Sequence, residues 1–285
     1  MRTVFSKDLQ VKISGTLSGV YPKNEGDALA LMLLEKIFGT SRTDLLVNAE
    51  MEFAPENVNF LKQAIDRLLA NEPIQHILGE ADFYGRQFKV SADVLVPRQE
   101  TEELIRLIVN ENKQNEPKIL DIGTGSGCIA CSLAKEIAGS EVHALDVSEQ
   151  ALEIAKGNNH LHQARVVFSK LDVLTQELPE KGFDIIVSNP PYVLESEKAT
   201  MHWNVLDFDP HLALFVDDED PLLFYHVIAD KSRASLKKGG RLYFEINEKF
   251  GSEISGLLAD FAYDKVTIHQ DLHGKDRFVS GMHFQ

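Results

Sequence analysis

Asn189-Pro190-Pro191-Tyr192 is the stretch best suited to hold a planar amino group. The asparagine side chain offers a carbonyl oxygen as acceptor. The prolines lack an N–H and fix φ, so they stiffen the turn and leave backbone carbonyls outside any regular ladder. The tyrosine ring can lie flat on a planar group. The matching guest is a planar –NH2, either a carboxamide or the exocyclic amine of a base. Taken alone, the same four residues read equally as a proline turn without chemistry.

A second constellation is Asp121-Ile122-Gly123-Thr124-Gly125-Ser126-Gly127. Glycines let a backbone take tight dihedrals and approach a ligand closely. Asp146 ends the next predicted strand, 146 − 127 = 19 residues after the last glycine. An acidic residue at that distance can accept both ribose hydroxyls of an adenosine. The spacing G-x-G-x-G, preceded by Asp121, differs from the G-x-G-x-x-G that cradles a pyrophosphate. A carboxylate there suits a cation, such as the amino group of a methionine moiety. S-adenosylmethionine is therefore preferred over NAD, with a ligand-free tight turn as the bland alternative. Asp172 and Val173 fall where the adenine edge is expected, and Asn189 borders cofactor and guest alike.

The elements that must position these residues are legible around them. Ile185, Ile186 and Val187 form a β-branched run that reads as a buried strand, stopped by the two prolines. Asn189 therefore sits at the strand's C-terminal edge, where open α/β sheets bind ligands. From Pro117 onward, strands are expected near 118–122, 141–145, 165–169, 183–188, 240–246, 264–269 and 277–284. Helices are expected near 127–138, 148–160, 221–236 and 250–260. Such alternation means parallel βαβ units, with the last two strands an antiparallel hairpin at the sheet edge.

Residues 25–70 read as helical, with Gly39 ending one helix, Ser41 to Val47 forming another and Pro55 opening a third. Ile74, His76 and Leu78 alternate like a strand, and Gly85-Arg86 reads as a hairpin turn. Thr101 to Val109 is amphipathic enough to cover a sheet face. The expected organisation is a helical domain over 1–72, a β-hairpin linker over 73–97 and an α/β domain over 98–285.

The chain has 285 residues and a net charge of −15. Duplex binding through many phosphate contacts calls for a basic surface, so this charge argues against direct nucleic-acid binding. Met1 to Lys12 has no apolar core of signal-peptide length, and no run is long enough to span a bilayer. A cytoplasmic protein without membrane association is expected, as a monomer. Cys128 and Cys131 share a C-x-x-C spacing but sit where a helix begins, with no second pair to complete a metal site. They are read as core packing. His160 and His162 are read as a solvated helix end, so no metal is expected.

Together, Asp121 to Gly127, Asp146 and Asn189 to Tyr192 resemble the motifs of class I S-adenosylmethionine-dependent amino methyltransferases, and more closely the HemK-type release-factor glutamine N5-methyltransferases. Pro73 to Gly79 through Phe83-Tyr84-Gly85 resembles that family's inter-domain hairpin. Val94 to Glu102 resembles its V-L-I-P-R-P-x-T-E segment, Asp209-Pro210 with Ala213-Leu214 its E-P-x-x-A-L, and Glu245-Ile246 its E-I-G. Gln99, Asp209 and Asn247 depart from the pattern. The resemblance implies a Rossmann-like seven-stranded methyltransferase domain behind a small helical N-terminal domain that helps bind the substrate. That substrate would be the glutamine of a Gly-Gly-Gln loop in a class 1 peptide-chain release factor.

In that frame catalysis is mostly positioning. The Asn189 oxygen and the Pro190 carbonyl accept the amide hydrogens, Tyr192 packs on the amide plane and Pro191 stiffens the loop. The same geometry suits adenine N6, so the alternatives are a nucleic-acid adenine methyltransferase, a ribosomal-protein glutamine methyltransferase, or a non-catalytic adenosine-binding module.

Overall fold

The computed structural model describes residues 3–52, 54–112, 116–178, 181–200 and 208–284. Two compact units divide the chain, one built on Met1–Gly79 and the other on Glu80–His202 and Asp209–Gln285.

In the first unit, β1 (Thr3–Phe5) pairs antiparallel with β2 (Glu50–Glu52), and helices span Ser6–Leu17, Lys23–Phe38, Arg42–Leu46, Pro55–Leu69 and Ile74–Leu78. Gly39 closes the second helix at φ +67°, a left-handed cap that costs glycine little. Ser41 and Asp44 form a reciprocal capping box on the third, and Pro55 opens the fourth. Leu17, Leu33, Leu34 and Leu68 are fully enclosed in this unit's core.

Two features of this unit depart from expectation. Ile74–Leu78 is a helix closed by Gly79 at φ +72°, not a strand. Five residues are too few for alternation to be told from one helical turn, and the glycine cap decides it. The helix Ser6–Leu17 lies within the expected helical domain but ahead of the residues 25–70 that read as helical, although Leu9, Ile13 and Leu17 recur at the helical interval of four and are buried.

The second unit opens with β3 (Glu80–Phe83) and β4 (Arg86–Lys89), an antiparallel hairpin. Its turn residues are Tyr84 and Gly85, at φ +49° and +70°, one position earlier than expected. Positive φ at both central positions matches the twist of the flanking strands. The helix Gln99–Glu111 follows. Then come β5 (Lys118–Ile122), the helix Cys128–Glu136, β6 (Glu141–Asp146), the helix Glu149–His162, β7 (Val167–Lys170) and β8 (Phe183–Ser188). After the Asn189 turn, β9 (Val193–Leu194) pairs in parallel with β10 (Phe215–Val216), which follows the short helix His211–Leu214. The helix Leu223–Ser235, β11 (Leu236–Glu245), the helix Gly251–Asp260, β12 (Tyr263–Gln270) and β13 (Asp276–His283) complete the unit.

Seven of these strands form one sheet in the order β12-β13-β11-β8-β5-β6-β7, in which β13 alone runs opposite to the other six. The expected terminal hairpin is there, but its second strand lies inside and β12 forms the edge. Successive side chains of a strand point to opposite faces. Accordingly Ile185 and Val187 join the apolar layer containing Leu104 and Ile129, while Ile186 joins the one containing Tyr225, Phe244 and Ile254. Helices cover both faces, so β8 reads as a continuous apolar run. Cys128 and Cys131 belong to the first layer, and burial pushes both thiols up to about 12, as packing residues require.

The chain winds from β5 outward through β6 to β7, then returns to place β8 on the other side of β5. Order reverses between β5 and β8, and a crevice opens there beyond their C-terminal ends. The glycine loop leaves β5 at that crevice, and the Asn189 turn leaves β8.

Candidate functional site

A cavity of about 310 Å³ occupies the C-terminal edge of β5, β6 and β8, within the range that holds small ligands. Gly123, Thr124, Gly125 and Ser126 line one side of it, and Asp146 lies beside them. Asp172 and Val173 form another part of the wall, and Asn189, Pro190 and Pro191 face in from β8. Thus one cavity gathers the two constellations, which the sequence separates by more than sixty positions.

The loop is held by the neighbouring strand. The N–H groups of Gly123 and Thr124 both donate to the Leu145 carbonyl at 2.9 Å, and that of Gly125 donates to Asp146 Oδ2 at 2.8 Å. Gly123 and Gly125 take φ of +76° and +52°, and a Cβ on either would meet open space. Backbone can therefore be approached closely there. Gly127 serves differently. At φ +78°, its Cβ position lies 3.0 Å from Ala155 Cβ, so glycine lets two helices meet, and it is not a lining residue.

Asp146 is half-buried. Its Oδ1 accepts the Ser148 N–H at 2.9 Å, its Oδ2 the Gly125 N–H. A carboxylate has about four lone-pair sites, so both oxygens keep capacity toward the cavity. Asp172 likewise accepts two hydrogen bonds, from the Leu174 N–H and the Thr175 hydroxyl of its own turn. Val173 is buried and supplies an apolar surface.

Asp121 lies beneath the lining residues and is fully enclosed. Its Oδ2 accepts the Thr124 hydroxyl at 2.6 Å, while its buried Oδ1 makes no hydrogen bond among the described residues. Burial, with Asp146's charge adding to it, pushes this carboxyl up to about 7. The Thr124 hydroxyl and the Ala130 N–H counter that rise only in part, and a buried acid of this kind favours a cation nearby. Open space above the glycines, a ribose-type acceptor in Asp146, an apolar wall at Val173 and this buried acid together fit S-adenosylmethionine.

At the other side, the half-buried Asn189 turns Nδ2 toward Thr101 Oγ1 at 3.5 Å. The Thr101 hydroxyl donates to Glu245 Oε2 at 2.7 Å. Tyr192 does not join the cavity wall. Its ring packs against the layer containing Tyr225, and its hydroxyl donates to Glu245 Oε1 at 3.2 Å. Burial, with the Glu245 charge beside it, pushes the phenol well above its usual range. Ser188 donates to the Ile122 carbonyl at 2.7 Å, tying the ends of β8 and β5 together.

Three residues near the site carried no assigned role from the sequence. Arg98 lines the cavity and pairs with the enclosed Asp209 at 2.6 Å. Thr101 also lines it, and Glu245 stands behind Thr101. The signal for Glu245 was a carboxylate closing the apolar run Leu242-Tyr243-Phe244, since glutamate is rarely enclosed unless it is paired.

The model of the "Methyltransferase small domain" matches residues 99–207, and that of the "PrmC N-terminal domain" matches residues 10–79. The chain is 45% identical to the release factor glutamine methyltransferase of Bacteroides thetaiotaomicron, over 94% of this chain and 96% of that one. It is 40% identical to the protein of the same name from Flavobacterium psychrophilum, over 96% and 97%. Among solved structures, a methyltransferase from Pyrococcus furiosus shares the fold with a TM-score of 0.53 at 18% identity, covering 79% of this chain and 99% of that one.

Proposed function

Because the chain belongs to the release factor glutamine methyltransferases, we propose that it carries a methyl group from S-adenosylmethionine to the side-chain amide nitrogen of the Gly-Gly-Gln glutamine in a class 1 release factor. The observation that carries this reading is the single cavity shared by Asn189-Pro190-Pro191, the glycine loop and Asp146.

In this reading the backbone of Gly123 to Ser126 cradles the cofactor, Asp146 accepts its ribose hydroxyls, and Val173 packs on its adenine beside Asp172. Asp121, below the loop, supplies the negative charge that a cationic ligand requires. Bound there, S-adenosylmethionine supplies an electrophilic methyl group on a sulfonium. A carboxamide nitrogen is a weak nucleophile because its lone pair is delocalised, so the chain's task is aim and charge. Asn189 Oδ1 and the Pro190 carbonyl accept the two amide hydrogens. They hold the nitrogen in line and stabilise positive charge as it develops. The prolines keep both acceptors in place at low entropic cost. Tyr192 contributes by bracing the turn from behind, through Glu245.

The first unit has its own core and carries no cofactor motif. It exposes apolar side chains at Val11, Leu46 and Val47, and its part in this reading is to engage the folded release factor. A flexible tripeptide would lose ordering entropy without such an interface. The same reading carries a monomeric, cytoplasmic enzyme with no direct contact to nucleic acid or membrane. Among the described residues no helix is long and apolar enough to cross a membrane.

The test is tritiated methyl transfer into a purified class 1 release factor, comparing the full chain with a fragment starting at Glu80. The full chain is expected to label the intact factor and not one whose Gly-Gly-Gln glutamine is replaced. The fragment retains both apolar layers of the sheet. It should bind S-adenosylmethionine normally yet label the factor far more slowly at low factor concentration. Equal labelling by fragment and full chain would remove the first unit from substrate binding. Label in the glutamine-replaced factor would remove glutamine as the acceptor.

A further inference from the structure

We infer that Glu245 and Thr101 form a positioning relay that fixes which end of the Asn189 side-chain amide faces the cavity. The inference rests on the reading that Asn189 Oδ1 receives the substrate amide.

A threonine hydroxyl has one proton. Thr101 commits it to Glu245 Oε2 at 2.7 Å, so its oxygen presents only lone pairs to Asn189. It therefore accepts from Asn189 Nδ2, at 3.5 Å. The opposite orientation would set Oδ1 against another acceptor. The amide nitrogen is held inward, and Oδ1 is left for the cavity.

Tyr192 occupies the other carboxylate oxygen at 3.2 Å, which leaves Oε2 to Thr101. The frame around the relay is also tied down. The Tyr225 hydroxyl donates to the Glu245 carbonyl at 3.1 Å, and Asn247 Nδ2 donates to the Tyr192 carbonyl at 3.3 Å.

The relay works only while Glu245 is ionised. A protonated carboxyl is itself a donor, so one of the two hydroxyls would lose its acceptor. The Thr101 proton is then free to turn toward Asn189, and the amide turns over to meet it. A donor would then face the hydrogens of the substrate amide. The groups facing Glu245 are Arg277 on β13, Glu100 beside Thr101 on the helix Gln99–Glu111, the Tyr192 and Tyr225 phenols, and the Cys128 thiol. Arg277 favours the ionised form but shares its charge with Asp271 at 3.2 Å. Burial outweighs these partners and pushes Glu245 up to about 7.

The test compares Thr101→Val, Thr101→Ser and Glu245→Gln in the full chain with saturating cofactor and release factor. Thr101→Val is expected to lower kcat by about 10- to 100-fold, the scale of a misaimed reacting group. The KM for the factor and the cofactor Kd should stay unchanged, and Thr101→Ser should restore kcat. Wild-type kcat should fall as pH drops through about 7, and the slower Glu245→Gln enzyme should lose that dependence.

A readout without turnover is the side-chain 15N–1H signal of Asn189, assigned by its loss in Asn189→Asp. It should shift with a midpoint near 7 in the wild type and stay still in Glu245→Gln. Wild-type kcat in Thr101→Val, failure of Thr101→Ser to restore it, an equal loss of cofactor affinity, or a pH-invariant Asn189 signal would each overturn the relay. Asn189→Ala separates this from the underlying reading. Normal turnover in that variant removes the amide acceptor itself, whereas slow turnover beside an unimpaired Thr101→Val removes only the relay.

Discussion

Asn189→Ala is expected to lower kcat by about 10²- to 10³-fold, the loss typical when one preorganised polar group facing the reacting centre is removed, with cofactor affinity nearly unchanged. The asymmetry follows from placement. Asn189 lies on the β8 side of the cavity, and the cofactor's other proposed contacts follow β5, β6 and β7. Charge develops on the substrate nitrogen only as its lone pair is drawn toward the methyl group. An acceptor on that nitrogen's hydrogens is therefore worth most in the transition state. Alanine leaves the proline turn intact, so the Pro190 carbonyl remains and some turnover survives. Single-turnover rates set beside calorimetric cofactor affinity separate the two effects. A variant with near-normal single-turnover rates would end the positioning mechanism.

Asp146→Ala should weaken S-adenosylmethionine binding by about 1.5–3 kcal/mol, the range for hydrogen bonds to a charged group. Two losses act together. The cavity-facing lone pairs that would take the ribose hydroxyls disappear, and so does the acceptor holding the Gly125 N–H at 2.8 Å. Asp146→Asn divides these contributions, because an amide oxygen can still accept the Gly125 N–H while the charge is gone. Its loss should fall between wild type and alanine. Calorimetry on the purified variants reads both, and unchanged affinity in Asp146→Ala would take Asp146 out of the site.

Much of the α/β unit was legible because its signals are local. Ile185-Ile186-Val187 is apolar at every position since helices cover both sheet faces, and the prolines mark where β8 must stop. The glycine loop and Asp146 are likewise marked by residue type at a fixed separation. Ile74–Leu78 was misread because five residues do not define a period, and the cap at Gly79 outweighs the alternation. The helix Ser6–Leu17 was hidden by polar residues between its three buried leucine and isoleucine positions.

The least legible part was the support of Asn189. Thr101 and Glu245 are separated by 144 positions and meet only because the helix Gln99–Glu111 packs near the end of β11. No local spacing reveals such a pair. The orientation of Tyr192 shares that origin. An aromatic after Pro-Pro suggests a stacking surface, but a buried carboxylate on a distant strand captures the hydroxyl and turns the ring away from the cavity.

The central claim is that the methyl group goes to a protein side-chain amide. Its most direct test is the fate of label from tritiated S-adenosylmethionine, incubated with the enzyme and a lysate lacking this activity. The account predicts macromolecular label that protease digestion releases, that nuclease treatment leaves untouched, and that peptide mapping places on the glutamine nitrogen of a release factor. Label that survives protease and is released by nuclease would contradict it and assign the Asn189 site to a base amine.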